Sequence, residues 1–444
     1  MINLFKRKKK PKKDIFEKGD FNIKEMDIYE DYPYVVSLVY MSPIVETIYP
    51  ACASCYGISE EKNTTTEERI GYIGKRVKSH HTSILEHSNI VMQIHIALDP
   101  HKSNYAYDYI TNEKSKVTSQ IIDPGYTDKN ILKALSEIRD VCRYLTIHTD
   151  TITDKYDNPM LRLTIGGSIR GYRYIFENIK NRQNKLFVSM FTVLKSVVPK
   201  EFFIDFINDN VMDDYSTMEI TKELSKNIIQ KGLNTKTTDI LDIINMDDLN
   251  NISELTGLPK EDCFDFVSIT VDFKNMSRVI TQQLTRHRNG ITQESQRYVD
   301  YSDASFNSPA KFKDKYSEST VYHTPIGDYN LSELGYTIAS IYRYLVDQGV
   351  EKEDARGYLP QNIQSGKVFM TFTLRTLFAF FNLRLDPHAQ AEIRIYAEQL
   401  AEYTEIYAKQ LDIDDMYLAS SVYSAPLYLR DQNNDLYNDI DEEV

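Results

Sequence analysis

The sequence predicts an α+β protein, and three observations carry that reading. Ile90-Val91-Met92-Gln93-Ile94-His95-Ile96 and Val267-Ser268-Ile269-Thr270-Val271 are rich in β-branched residues and read as strands. Ile70, Ile73 and Val77, and further on Leu374, Leu377, Phe378 and Phe381, fall at helical spacing and read as buried helix faces. The two kinds of segment do not alternate in the strand–helix rhythm of a doubly wound parallel sheet.

Taken in order, the chain opens on a basic run, Lys6 to Lys13, and closes on an acidic one, Asp431 to Glu443. Both read as solvated tails, the basic one with a weaker reading as a polyanion or membrane-surface contact. Phe21 to Ile96 contains the Thr-rich loop Asn63–Glu68, the helix and the first strand. From Ala97 to about Asp265 the chain is polar and helical in places, with Glu201–Phe206 and Ile240–Leu249 reading as ordinary helices. Within it, Arg162 to Tyr174 loosely echoes Thr371 to Phe381: a β-like entry, an Arg, then an aromatic helix. A weak internal duplication and chance similarity both account for that echo. Ser277–Arg286 follows the second strand as a helix with Val279, Gln283 and Arg286 on one face. Asp386-Pro387 then caps a last helix that buries Ile393, Tyr396, Ala397, Leu400 and Tyr407.

Of 444 residues, 41% are hydrophobic, enough for a core, and the length suits two or three masses of about 150 residues. No run approaches the roughly 18 apolar residues that span a bilayer, and no secretory h-region follows the basic start. Four cysteines make no disulfide framework, so a cytoplasmic setting is expected. The net charge of -13 disfavours a nucleic-acid partner.

Chemistry concentrates in Gln283-Leu284-Thr285-Arg286-His287-Arg288-Asn289-Gly290-Ile291-Thr292-Gln293-Glu294-Ser295-Gln296-Arg297-Tyr298. Guanidinium groups hold phosphate oxygens bidentately and stay charged, so the cluster suits a nucleotide or dinucleotide. The plain alternative is a helix end whose cations offset the dipole. A second group, His80-His81-Thr82-Ser83-Ile84-Leu85-Glu86-His87, has the wrong spacing for a metal on one helix and suits a packed or ligand-contacting Glu-His pair; no metal is expected. A third comprises Arg356, Arg375, Asn382, Arg384 and His388 to Arg394. Cys52 and Cys55 read as small, part-buried thiols, and no covalent nucleophile is evident.

Together these segments resemble the flavin-dependent thymidylate synthases, the ThyX family. The family signature, Arg-His-Arg then Ser-x-Arg-Tyr, matches Arg286-His287-Arg288 and Ser295-Gln296-Arg297-Tyr298. Ser83-Ile84-Leu85-Glu86-His87, Ala355-Arg356-Gly357-Tyr358-Leu359-Pro360, and Asn382-Leu383-Arg384 with His388 to Arg394 match three further elements in the family's order. The spacer from Arg288 to Ser295 is one residue short, Thr373 and Ala379 stand where many members have Asn, and Ala391 stands for a Trp.

The resemblance implies a mixed sheet flanked by helices and a long helical insertion. It divides the chain into a tail (1–20), an N-terminal part (21–96), an insertion of unassigned role (97–265), a C-terminal part with the signature (266–428) and an acidic tail (429–444). It implies reductive methylation of dUMP to dTMP with 5,10-methylenetetrahydrofolate, NADPH and FAD, in a homotetramer with shared sites and with neither nucleic acid nor membrane as partner. Arg384 is implied as the catalytic group; Gln283, Arg286, Gln293, Glu294, Ser295, Gln296, Arg297, Arg356 and Arg384 as dUMP ligands. His87, Asn89, Arg286, His287, Arg288, Gln293, Thr373, Leu374, Arg375 and Ala379 are implied as FAD contacts. A pyrimidine nucleotide hydroxymethylase on the same scaffold, and a non-catalytic nucleotide-binding protein, are the alternatives.

Overall fold

In a computed structural model of the chain, the described residues are 34–58, 64–97, 144–153, 159–178, 190–203 (without 192 and 196), 238–287, 290–307 and 321–410. Both tails and Arg288 lie outside them. The protein is α+β, as expected. Its strands are β1 (Tyr34–Met41), β2 (Ile90–Ala97), β3 (Leu145–Thr153), β4 (Pro159–Gly167), β5 (Leu241–Met246), β6 (Ser268–Ser277), β7 (Gly290–Gln293), β8 (Val321–Thr324), β9 (Gly327–Asn330) and β10 (Gln364–Thr373).

Among the described residues, in place of one mixed sheet there are two four-stranded sheets, ordered β1-β2-β4-β3 and β5-β6-β10-β7, and a small hairpin, β8-β9. Every ladder is antiparallel. The stretch 97–265, expected as a helical insertion, supplies β3, β4 and β5: β4 lies beside β2 with Ile90 opposite Gly167, and β5 beside β6 with Met246 opposite Ile269. Both sheets take strands from it. Local periodicity misses this because strand pairing joins residues far apart in the chain.

The helices are α1 (Ile44–Cys55), α2 (Thr66–Lys78), α3 (Ile169–Asn178), α4 (Leu249–Thr256), α5 (Arg278–Leu284), α6 (Leu331–Asp347), α7 (Lys352–Ala355), α8 (Leu374–Arg384) and α9 (Ala391–Gln410). Helix α2 starts on a full capping box, in which Thr65 Oγ1 accepts from the Glu68 N–H and Glu68 accepts from the Thr65 N–H. Helix α4 is capped by Asp248 and stops at Gly257, whose φ of 66° is the left-handed cap that glycine adopts without strain. Among the described residues no helix is long and apolar enough to cross a membrane.

Three helix expectations shift. Ile240–Leu249 is strand β5, because Leu241 and Ile243 alternate inward with period two. Of the helix expected over Glu201–Phe206, the described part, Lys200–Phe203, is a single 3-10 turn anchored by buried Phe202 and Phe203, and residues 204–206 lie outside the described residues. The last helix starts at Ala391; Asp386 instead caps a turn, accepting the His388 N–H at 2.7 Å. The side chain of Tyr407 lies outside the described residues, while Ile393, Tyr396, Ala397 and Leu400 are buried as expected.

Two large apolar clusters and a smaller one, of Tyr301, Tyr342, Ala355, Leu359 and Ile363, fill the described residues. Of the large two, one lies between the first sheet and α1, α2 and α3; the other between the second sheet and α4, α5, α8 and α9. The second also takes in Val39, Tyr40 and Val91 from the first sheet. A buried polar knot ties the two sheets at that seam. Asp247 accepts from Tyr40 Oη (2.7 Å), Asn89 Nδ2 (2.8 Å), Asn245 Nδ2 (2.9 Å) and the backbone N–H (2.9 Å) and hydroxyl (2.7 Å) of Ser268. A buried carboxylate so saturated with donors replaces the hydration it lost.

Candidate active site

Helix α5 organises the predicted residues. It follows β6 directly, with Ser277 as its N-cap residue, and its seven residues span roughly 10 Å. Its start anchors one group of guanidiniums and its end another.

At the end, Gln283 faces Arg384 and Gln390. Gln283 Nε2 donates to Gln390 Oε1 at 2.6 Å, and Gln283 Oε1 accepts from Arg384 Nη1 at 3.3 Å. Arg384 Nε donates to His287 Nε2 at 3.1 Å. Burial, reinforced by Arg384, pushes His287 down to about 4, so the ring is neutral and its Nε2 lone pair accepts. Burial and the nearby Arg286 charge lower Arg384 in turn. Two guanidiniums at close quarters repel, and an anion between them relieves that repulsion.

At the start, Arg278 lies near Arg356, whose charge, after burial, lowers it. Arg278 Nη1 is buried without a hydrogen-bond partner among the described residues. Arg356 Nε donates to the Glu353 carbonyl at 3.0 Å, and Arg297 Nε to the Glu353 carboxylate at 2.7 Å. Arg278 was not singled out in the sequence; its place beside Arg356 exists only after β6 and the segment before β10 come together, with the Arg278 N–H bonded to the Ile363 carbonyl.

The signature runs between these groups. Gln293 Oε1 is buried without a partner among the described residues. Glu294 accepts from Tyr301 Oη at 2.7 Å, Gln296 is buried, and Ser295 Oγ accepts the Arg297 N–H at 3.3 Å. An open polar cleft lined by Asn275, Glu294, Asp300, Tyr301 and Gln364 lies alongside.

The first sheet's helices press on this segment, a contact that sequence reasoning missed. The Ser295 N–H donates to the Cys55 carbonyl at 3.3 Å. Tyr298 stacks on Tyr56 at 5.0 Å, Tyr56 stacks on His81 and bonds its Nδ1 at 2.7 Å, and Arg76 lies 3.7 Å from the Tyr56 ring centre. Only the presence of aromatic and cationic residues near Cys55 hints at it. Cys52 itself is pushed up to about 12, by burial first, so it is a packed thiol.

Several predicted flavin contacts have other partners within the chain. His87 is fully buried, bonding Thr371 (2.9 Å) and Thr292 (2.8 Å), and burial pushes it down to about 3. Asn89 belongs to the Asp247 knot and also donates to the Phe266 carbonyl at 2.6 Å. Arg375 pairs with buried Asp265 at 2.6 Å. Thr373 caps α8, accepting from the Thr376 N–H; Leu374 is buried and Ala379 half-buried on that helix. The groups gathered around α5 are therefore Gln283, Arg286, His287, Arg384, Arg297 and Arg356, with the Gln293–Ser295 segment beside them.

An α+β scaffold with guanidiniums at both ends of one short helix, joined by a Gln-Glu-Ser segment whose Gln293 amide oxygen has no partner among the described residues, offers a donor set chemically suited to a multiply anionic ligand. Residues 213–407 match the thymidylate synthase complementing protein family. Flavin-dependent thymidylate synthases are similar: that of Pyrococcus abyssi is 32% identical over 167 residues, 37% of this chain and 66% of its own length. That of Pyrococcus furiosus is 32% identical over 34% of this chain and 60% of its own length; that of Geobacter sulfurreducens is 32% identical over 34% and 61%. The chain thus spans a little under two thirds of these relatives. The resemblance read from the motifs is borne out: the part carrying the signature is similar in sequence to the flavin-dependent thymidylate synthases.

Proposed function

We propose that the protein is a flavin-dependent thymidylate synthase, converting dUMP to dTMP with 5,10-methylenetetrahydrofolate as carbon donor and NADPH as reductant. The observation that carries this reading is the Arg384 arrangement. Its guanidinium is held by Gln283 and a neutral His287, has Arg286 nearby, and is only partly buried.

The residues fit the ligands in chemical terms. Gln293 Oε1 and Arg278 Nη1 are a buried acceptor and donor without partners among the described residues, which a polar ligand would satisfy. Arg297, Arg356 and Ser295 suit a phosphate dianion and sugar. FAD, when bound, would supply the hydride relay. The chain's own part is to hold dUMP by its phosphate and to place Arg384 where negative charge develops on the uracil ring, making C5 electron-rich without a covalent nucleophile. Arg286 and Gln293 would face the flavin. Neighbouring chains would complete the sites in a cytoplasmic homotetramer.

The test is direct. Purified protein should carry a yellow chromophore that bleaches with NADPH, and should release dTMP from dUMP only when the folate is added. Formation of a hydroxymethylated nucleotide instead would move the protein to the hydroxymethylase reading.

A further inference from the structure

The two sheets are built alike beyond their shared strand order. In each, the first strand bulges at one residue, Val39 in β1 and Ile244 in β5. In each, the residue after that strand exchanges two hydrogen bonds with the residue before or at the start of the second. Ser42 N–H donates to the Asn89 carbonyl and Ser42 Oγ accepts the Asn89 N–H, both at 2.9 Å; Asp247 N–H donates to the Ser268 carbonyl and Asp247 Oδ2 accepts the Ser268 N–H, again both at 2.9 Å.

In each, the fourth strand is followed by a helix capped by a hydroxyl, Ser168 for α3 and Thr373 for α8. The second residue of that helix is an arginine paired to the carboxylate that ends a 3-10 segment: Arg170 with Glu86, Arg375 with Asp265. Val39 to Ile244, Ser42 to Asp247 and Arg170 to Arg375 share one separation of 205 positions, while Asn89 to Ser268 and Glu86 to Asp265 share another, of 179. A conserved bulge, a conserved corner and a conserved ion pair at constant offsets are the marks of one unit present twice.

The units also embrace reciprocally. His87, after Glu86, reaches Thr371 in the second sheet; Phe266, after Asp265, packs on Gly166 in the first. There the likeness ends. Phe266 fills its place so tightly that a Cβ on Gly166 would lie 2.3 Å from the ring. On the sheet edge β3, Thr149 lies opposite Leu163 as Gln293 lies opposite Val368; Asp150 and Thr151 follow it where Glu294 and Ser295 follow Gln293, and Asp150 is already paired to Arg162.

We infer that the chain is a duplicated scaffold with a single anion-binding cleft: the second unit grips the phosphate, and the first is its fixed partner, buttressing the signature through the Tyr56–Tyr298 stack and the segment around His87. This rests on reading the arginines around α5 as phosphate ligands, not on which nucleotide they take.

Calorimetric titration of the full chain with inorganic pyrophosphate, and separately with dUMP, tests it. One pyrophosphate per chain is expected, weakened about tenfold or more by Arg286→Gln with Arg356→Gln. The first-unit variant Thr149→Ala with Thr151→Ala should leave count and affinity unchanged. Two pyrophosphates per chain, none, or loss through the threonine pair overturns the inference. One pyrophosphate without any dUMP binding removes the thymidylate reading and leaves the single cleft in place.

Discussion

The Nε–H of Arg384 points at Nε2 of His287, 3.1 Å away. A cation donating to an imidazole requires that nitrogen to be unprotonated, so the imidazole works here as a neutral prop that aims the guanidinium. The edge of its ring also meets Phe380 at 5.1 Å, which fixes its plane.

Stability should fall in mild acid. Burial, with Arg384 adding to it for His287, holds His87 at about 3 and His287 at about 4 in the fold, against an ordinary 6.5. Because the folded values are depressed, the unfolded chain binds the extra protons. The stability is whole above about pH 6.5 and drains as pH drops towards those folded values. Each histidine contributes a slope of up to about 1.4 kcal/mol per pH unit inside that window. Urea unfolding at a series of pH values should show it, and His87→Asn should flatten the curve. An unchanged slope in that variant would place the proton uptake elsewhere.

Arg384→Ala should remove dTMP formation, by roughly a hundredfold or more, while flavin absorbance per chain stays near that of the parent. Arg384→Lys should rescue little, because one ammonium cannot meet His287 and Gln283 together as the guanidinium does. Ordinary turnover in the alanine variant would take away the role assigned to this residue.

Ser295→Ala and Arg297→Ala should each weaken dUMP about tenfold and leave FAD nearly untouched. Arg297 is exposed and shares its charge with Glu353, so Glu353→Gln should tighten dUMP slightly by freeing it. Separate titrations of each variant with dUMP and with FAD read this out; equal losses for both would refute the division of labour.

Asp247→Ala should cost at least about 3 kcal/mol of stability, since it strands buried donors from Tyr40, Asn89, Asn245 and Ser268. Asp247→Asn, which keeps one acceptor, should cost less. Chemical denaturation measures both, and a neutral alanine variant would mean that water replaces the carboxylate.

What could be read in advance divides along physical lines. Strands β2 and β6 announce themselves by β-branched runs, and the Arg-rich signature by spacing, because both are local in the chain. Strand β5 was hidden: its short Leu-x-Ile alternation sits beside an Asp-Asp pair that also signals a helix start. Arg278 was hidden because its neighbour Arg356 arrives from far along the chain. The echo between Arg162–Tyr174 and Thr371–Phe381 was visible but ambiguous. Few identities survive between the halves, and what they share is a bulge, a corner and an ion pair, features of backbone geometry that side-chain patterns barely record.

The Asp247 knot has a consequence for biogenesis. Tyr40 and Asn89 emerge from the ribosome long before the carboxylate that satisfies them, and the N-terminal sheet must wait with polar groups and the apolar Val39 and Val91 uncovered. Translation order therefore exposes a half-built seam that only the later half can close, making the nascent N-terminal portion a natural client for chaperones.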